Sequence, residues 1–377
     1  MKAPNKVLHV LGGLERGGVE TWLLNCLTRL DPARWRFDFC ALGPEPGRYA
    51  PLALERGSRV LHCPLRPSPV AFAARFWRLL RQQRYQLVAS HVHHFSAAIL
   101  GLAGAAGARA RVSHAHNTSD GRRDTLPRRL YRGSSLALLG GVMTRGVACS
   151  QAAAVSFYGP HWRSRRVEIV PYGVAEADCG ADSPAEVRRR LGLDPEAPVI
   201  GHVGRFDPQK NHGFLLQVAA ELRRLKPQAR WLLVGDGAGR GAIERQIRDL
   251  DLGGTVVLAG RREDAPRLMG RAMDLLLFPS LFEGLPLALV EAQAAGLPAL
   301  ASSRITREAA VVKGAVEFLP LEAGPRVWAE RACRRLADGR LPPDRCATAI
   351  QAAGLTIEQS LDRLLQAYAR ALGEGIG

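Results

Sequence analysis

Leu275-Leu276-Leu277-Phe278-Pro279-Ser280-Leu281-Phe282-Glu283-Gly284-Leu285-Pro286, running on to Glu291, decides how this 377-residue chain is read. Four apolar residues in a row read as a buried strand of the kind parallel sheets use. Pro286 falls where a first helical residue is favoured, because its missing N–H is no loss there. Strand, turn and helix in that order leave free amides at a helix N-terminus, which hold phosphate together with the helix dipole. Glu283 in the turn and Glu291 about one and a half turns into the helix each bring a carboxylate. One carboxylate accepts two hydroxyl hydrogen bonds, which is what a sugar diol offers. The same segment also suits a plain strand-turn-helix whose glutamates only face solvent.

Outward from this unit the same rhythm repeats. In the first half, Lys6 to Leu11, Phe37 to Leu42, Arg59 to Cys63, Gln86 to Ser90, Ala110 to Ser113, Gly146 to Cys149 and Val167 to Val170 are short apolar runs separated by amphipathic segments. A polar passage, roughly Gly173 to Pro198, interrupts them and reads as a linker plus one helix. A second series follows: Pro198 to Val203, Arg230 to Val234, Thr255 to Ala259, Asp274 to Phe278, Pro298 to Ala301 and Ala315 to Leu319. Alternation of this kind implies α/β architecture with parallel strands and crossover helices, here in two Rossmann-like halves. The expected division is 1–172, a linker and first helix over 173–197, and 198–355. From Thr356 to Leu372, apolar Ile357, Leu361, Leu364, Leu365, Tyr368 and Leu372 recur near helical spacing, which predicts a docked amphipathic helix.

The composition, 47% hydrophobic and 23% charged, is that of an ordinary globular protein, and the length suits two α/β domains. Seven cysteines (Cys26, Cys40, Cys63, Cys149, Cys179, Cys333, Cys346) form no C-x-x-C pair, so reduced thiols in the cytoplasm are expected and a structural zinc site is not. The N-terminal apolar run Val7 to Leu11 is too short for a signal peptide, and the longest apolar stretch, Ala97 to Ala108, is about half of what a bilayer requires.

The net charge is +17, and residues 1–172 hold nearly all of it, with 25 Lys and Arg against 9 Asp and Glu. Arg75, Arg78, Arg81 and Arg84 recur at helical spacing, and Arg122, Arg123, Arg128, Arg129 and Arg132 follow. One face of that half is therefore expected to be basic. Nucleic acid, an anionic membrane surface and a phosphate-bearing substrate all exploit such a field.

Several strand-end loops carry the groups a phosphate site needs. Gly12-Gly13-Leu14-Glu15-Arg16-Gly17-Gly18-Val19-Glu20 follows the first strand and lets amides approach an anion, although a plain tight turn has the same look. Gly204-Arg205-Phe206-Asp207-Pro208-Gln209-Lys210-Asn211-His212 sets two cations five residues apart on a projecting loop, suited to a diphosphate whose departure must be stabilised. Gly235-Asp236-Gly237-Ala238-Gly239-Arg240-Gly241 invites a dinucleotide reading, with Arg261 and Arg262 near a 2′-phosphate. It is G-x-G-x-G rather than G-x-G-x-x-G, and lies deep in the second half. His91, His93 and His94, and His114 and His116, cluster at two strand ends, where residues two apart share a face. A metal pair, packed or capping histidines, and one hydrogen-bonding active-site histidine are all compatible with them, and no carboxylate or cysteine falls at supporting spacing.

Gly17-Gly18-Val19-Glu20, Gly204-Arg205 with Gln209-Lys210-Asn211, Val234-Gly235-Asp236-Gly237, Pro279-Ser280 with Phe282-Glu283-Gly284, and Glu291-Ala292 together resemble the retaining glycosyltransferases of family 4, which have the GT-B fold. The likeness spans nearly the whole chain. Leu11 to Glu20 and Ser113-His114-Ala115-His116-Asn117 are closest to bacterial transferases of exopolysaccharide and capsule assembly. The resemblance implies two facing Rossmann-like domains, the terminal segment 356–377 crossing back onto the first, and a nucleoside diphosphate sugar as donor. Gly18, with Gly17, would approach the donor phosphates. Arg205 and Lys210 would neutralise the diphosphate, Glu283 would bind donor-sugar hydroxyls and Glu291 the ribose, with Gly204, Gly284 and Leu285 lining the donor. His116, or failing that His114, would contact the donor sugar.

The implied chemistry is retaining transfer of a hexosyl unit to an acceptor hydroxyl of a glycan or lipid-linked acceptor. It needs no cofactor or metal if Arg205, Lys210 and helix amides carry the leaving-group charge. Residence in the cytoplasm, peripheral on an anionic membrane and without nucleic acid, follows. A sugar-nucleotide epimerase or hydrolase of the same fold, and a non-catalytic nucleotide-binding partner, are the alternatives. The chain departs from many relatives at Pro171-Tyr172-Gly173-Val174-Ala175, where they have a P-N-G-[IV]-D-like turn.

Overall fold

The computed structural model describes residues 3–15, 17–66, 68–119, 121, 123–175 and 182–374, so that Arg16, Arg122 and Cys179 lie outside the described residues. The chain divides into two units, Met1–Gly173 with Ile357–Gly377, and Val174–Thr356.

The first unit is built on strands β1 (Asn5–Leu11), β2 (Trp35–Ala41), β3 (Val60–His62), β4 (Leu87–Ser90), β5 (Ala110–Ala115), β6 (Arg145–Ala148) and β7 (Val167–Ile169). They lie in the order β3-β2-β1-β4-β5-β6-β7, all parallel. The strand order reverses between β1 and β4, whose register pairs Val10 with Ser90. Helix Ile357–Leu372 completes this unit's core with buried Ile357, Leu361, Leu364 and Leu372, each contributing about 1.5–3 kcal/mol by leaving water. Polar contacts fix its seat. Trp22 Nε1 donates to Ser360 Oγ at 2.9 Å, and Ser360 Oγ donates to the Pro171 carbonyl at 2.5 Å. Arg370 forks onto both carboxylate oxygens of Glu168.

The second unit has strands β8 (Val199–Val203), β9 (Arg230–Val234), β10 (Val256–Gly260), β11 (Leu275–Phe278), β12 (Ala299–Ser302) and β13 (Val316–Leu319). Their order is β10-β9-β8-β11-β12-β13, again all parallel, with the reversal between β8 and β11. Trp231, Leu233, Leu275 and Leu277 fill its core with Leu215, Leu222 and Trp328 from covering helices. Both sheets are thus doubly wound, the expected α/β architecture. The six described cysteines are free thiols. Among the described residues no helix is long and apolar enough to cross a membrane.

Candidate active site

Open α/β sheets bind ligands beyond the carboxyl ends of their strands, where the strand order reverses. In the second unit that place lies between the loops after Val203 and Phe278, since β8 and β11 are neighbours. Asp207 opens a short 3₁₀ turn, Pro208–Lys210, and caps it by accepting from Lys210 N at 3.3 Å. Two hydrogen bonds fasten that turn to the β11 loop. Leu281 N donates to the Gln209 carbonyl at 2.8 Å, and Gln209 Nε2 donates to the Phe282 carbonyl at 2.9 Å. Lys210 Nζ is thereby held 2.5 Å from Glu283 Oε1 and 4.7 Å above the Phe278 ring. The loop reading has Lys210 projecting, but its side chain is only 13% exposed and that of Glu283 9%. Each charge is desolvated and needs the other, yet an ammonium has three N–H donors and Glu283 occupies one. Arg205 remains 63% exposed beside Asp207, at 3.3 Å.

Glycine makes this approach feasible. A Cβ at Gly204 would lie 3.0 Å from Lys210 Cε and 3.2 Å from His202 Nε2. Gly235, at φ +150, could carry no Cβ without overlapping the Gly204 carbonyl. The loop of Gly235 and Gly237 rests on the Gly204 loop, with Phe206 N donating to the Asp236 carbonyl at 3.0 Å and Gly239 N to the Phe206 carbonyl at 2.9 Å. These glycines therefore serve loop packing. The two arginines of the dinucleotide reading are also engaged, Arg261 3.7 Å from Asp236 and Arg262 2.8 Å from Asp264.

After β11, Pro286 is the N-cap of helix Leu287–Ala294 rather than its first residue, and no side chain caps the helix. Its first amides have no partner within the helix. Gly284 and buried Leu285 lead into it. Glu291 is half-buried and accepts no hydrogen bond or ion pair among the described residues, and burial pushes its carboxyl up to about 7. Two residues further, Gln293 is fully buried and fully bonded. Its Nε2 donates to the Leu289 and Ala309 carbonyls, and its Oε1 accepts from Val311 N and Val312 N.

Two residues here escaped the motif reading. His202 Nδ1 donates to the Leu277 carbonyl at 2.8 Å, leaving Nε2 buried without a partner, and His212 packs against its ring. Burial holds His202 well below the ordinary imidazole range and His212 at about 4, so both are neutral beneath Lys210. A short apolar run buried on both faces gives no cue that its single imidazole points inward under a cation.

In the first unit, the reversal between β1 and β4 gathers histidines. His9 Nδ1 is 3.0 Å from His91 Nε2, His91 Nδ1 is 2.7 Å from His116 Nε2, and His116 Nδ1 is 2.6 Å from Tyr172 Oη. His114 Nε2 is 3.0 Å from Tyr368 Oη. His114 is closed off from solvent and His116 is half-buried. Tyr172, the departure from the usual turn, thus sits on His116 and against Trp22. Gly17 is the N-cap of helix Gly18–Leu27, where a Cβ would run into the Glu20 carboxylate, and Gly18 is exposed.

Two doubly wound parallel-sheet units, with the chain's last helix returned to the first, define the GT-B class of glycosyltransferases. Residues 16–178 match the family described as Glycosyltransferase Family 4, and residues 184–320 the one described as Glycosyl transferases group 1. EpsF of Bacillus subtilis (strain 168), a protein assigned to the glycosyltransferases, is 33% identical over 377 residues, covering 96% of each chain. The chain belongs to glycosyltransferase family 4. A D-inositol 3-phosphate glycosyltransferase of Segniliparus rotundus is 33% identical over 220 residues, 56% of this chain and 48% of its own. Among solved structures, Anabaena HepE with UDP and glucose has a TM-score of 0.77 at 19% identity, covering 96% of this chain and 99% of its own. Sucrose-phosphate synthase of Thermosynechococcus elongatus has 0.76 at 19%, covering 98% and 99%.

Proposed function

We propose that the protein moves a hexosyl unit from a nucleoside diphosphate sugar to an acceptor hydroxyl with retained configuration, in bacterial surface polysaccharide synthesis. The observation that carries this reading is the Lys210–Glu283 pair beside an uncapped helix N-terminus and the partnerless Glu291. Lys210 keeps two donors for the diphosphate, whose charge grows as the glycosidic bond breaks, and exposed Arg205 adds a second cation. Glu283 accepts from donor-sugar hydroxyls, and Glu291 from the ribose diol. Backbone at Gly17, Gly18, Gly204, Gly284 and Leu285 lines the donor, and His116 contacts its sugar. The departing phosphate takes the acceptor proton on the same face. A covalent two-carboxylate scheme suits the site less, because Glu283 is committed to Lys210. No metal is required on the diphosphate.

The acceptor in this reading is lipid-linked, at the cytoplasmic face of an anionic membrane. Helix Leu126–Val142 exposes Leu126, Leu130, Tyr131 and Leu138 on a surface that also carries Arg129 and Arg132. Exposed apolar residues beside arginines suit a membrane interface. An Escherichia coli relative, 33% identical over 143 residues and covering 37% of each chain, is named for transfer from UDP-galactose to an N-acetylglucosamine diphosphoundecaprenol.

Thermal-shift screening of nucleoside diphosphate sugars tests the donor. A ligand at about 100 times its Kd should add about 2.7 kcal/mol of stability, and no shift with any donor would sink the proposal. Turnover of donor without acceptor would point instead to an epimerase or hydrolase. The anomeric configuration of the product, read by NMR, decides retention. Sedimentation with anionic vesicles decides the membrane clause, which fails if nothing binds at low salt.

A further inference from the structure

The histidines at the first unit's strand-order reversal have a property beyond donor contact. One nitrogen each from His91, His114 and His116 lies within 4.8 Å of the others. Their opposite ring nitrogens already have polar neighbours: His91 Nε2 meets His9 Nδ1, His116 Nδ1 meets Tyr172 Oη, and His114 Nε2 meets Tyr368 Oη. When each of those opposite nitrogens carries the proton and donates outward, His91 Nδ1, His116 Nε2 and His114 Nδ1 are left as lone pairs. His114 is 1% exposed, and its Nδ1 is buried with no hydrogen-bond partner among the described residues. Without an ion, a single shared proton can join His91 Nδ1 to His116 Nε2 across their 2.7 Å, but nothing serves His114 Nδ1.

We infer that His91, His114 and His116 form a tridentate site for a borderline divalent transition metal, zinc being the natural occupant. Three imidazoles with a fourth position left to water is a familiar zinc donor set, and imidazole suits zinc, copper and nickel better than magnesium or calcium. Outward hydrogen bonds from ligating imidazoles are what fix ring orientation and tautomer at such sites. With bonds of about 2.05 Å, tetrahedral donors stand about 3.3 Å apart, so His91 Nδ1 and His116 Nε2, in hydrogen-bond contact at 2.7 Å, must part to admit the ion while His114 turns toward it. His91 and His116 are half-buried, which leaves a path from solvent. The site lies wholly in the first unit and shares His116 with the proposed donor-sugar contact, but none of the other donor-binding residues of the proposed function enters it.

The test uses the full chain stripped with a chelator, titrated with Zn²⁺ against a chromophoric competitor and with Co²⁺ by visible spectroscopy. The expected result is one ion per chain, an intense tetrahedral Co²⁺ band, and a raised melting temperature. His114→Gln and His91→Gln should each weaken binding by more than about tenfold, the range reached by losing an outer-shell partner alone. His62→Gln, on an exposed imidazole, should change nothing. Absence of a stoichiometric ion in the wild-type chain overturns the inference, as does binding that persists in both ligand variants. Melting curves show which variants fold; if His114→Gln does not, His91→Gln decides.

Discussion

Glu291 is a carboxyl held in surroundings that favour its neutral form, with its pKa raised to about 7 and no partner among the described residues. Raised carboxyls lower stability as pH climbs from the unfolded value near 4.5 through the folded one, because the unfolded chain then ionises first. Allowing for its partial exposure, the ionised group should cost about 1–3 kcal/mol above pH 7. Glu291→Gln is therefore expected to raise the denaturation midpoint at about pH 8 while weakening nucleotide binding by tenfold or more. A stability gain without loss of nucleotide affinity would remove Glu291 from the ribose. Lys210 is the opposite case, a cation whose removal leaves Glu283 buried and unpaired. Lys210→Ala should lower kcat by about 10²–10³-fold in a glycosyl transfer assay and also lower the melting temperature. Lys210→Met combined with Glu283→Leu would recover the stability but not the activity.

Helix Leu287–Ala294 presents Glu291 because Gln293 anchors it. Gln293 satisfies four backbone groups inside the protein, two on its donors and two on its acceptor. A side chain of similar size without polar atoms would strand them, each at about 1–3 kcal/mol. Gln293→Leu should accordingly destabilise the chain by 3 kcal/mol or more in urea unfolding, and a change under about 1 kcal/mol would show that the 309–312 segment re-forms its bonds elsewhere. Elements of this kind were legible to different degrees. The thirteen strands among the described residues could be read as short apolar runs, because most of them are parallel strands buried on both faces, which keep no polar alternation. The terminal helix was legible from its spacing. Helices Gly324–Asp338 and Pro343–Ala352 were not singled out, since nothing in them marks chemistry. The Lys210–Glu283 contact spans 73 residues and the His9–His91 contact 82, so both exist only once strand order places the loops side by side. Tyr172 shows the same limit in another way. Measured against the family turn it is a missing side chain, and in the folded unit it is the partner of His116.

At the scale of the molecule, burial keeps imidazoles uncharged in both units, with His9 and His116 lowered to about 3 and His212 to about 4. His91, His114 and His202 are also held well below their ordinary range. Unfolded imidazoles titrate near 6.5, so below that pH the unfolded chain takes up protons the folded one refuses, and stability falls as pH falls. Fully buried His9, His114 and His202 should each contribute a slope of about 1.4 kcal/mol per pH unit. Six such groups outweigh the single opposing Glu291. The urea midpoint should therefore drop clearly between about pH 7.5 and about pH 5.5, and a flat profile would mean that these rings reach water in the native state.

The helix Ile357–Leu372 that seals the first unit has a further consequence for how the chain is made. Tyr368 and Ser360 fill places beside His114 and Trp22 in a unit whose other part ends at Gly173. A ribosome must add about 180 residues, roughly 10 to 40 s of elongation, before that helix exists. During this interval the first unit is an open sheet with an uncovered apolar bed around Trp35 and Phe37, and the second unit, whose last residue directly precedes the helix, has its full sequence just before the helix is made. The order of synthesis and the order of completion are therefore reversed. The half of the protein that emerges first is finished last, and its nascent form is the one most exposed to chaperones and proteases.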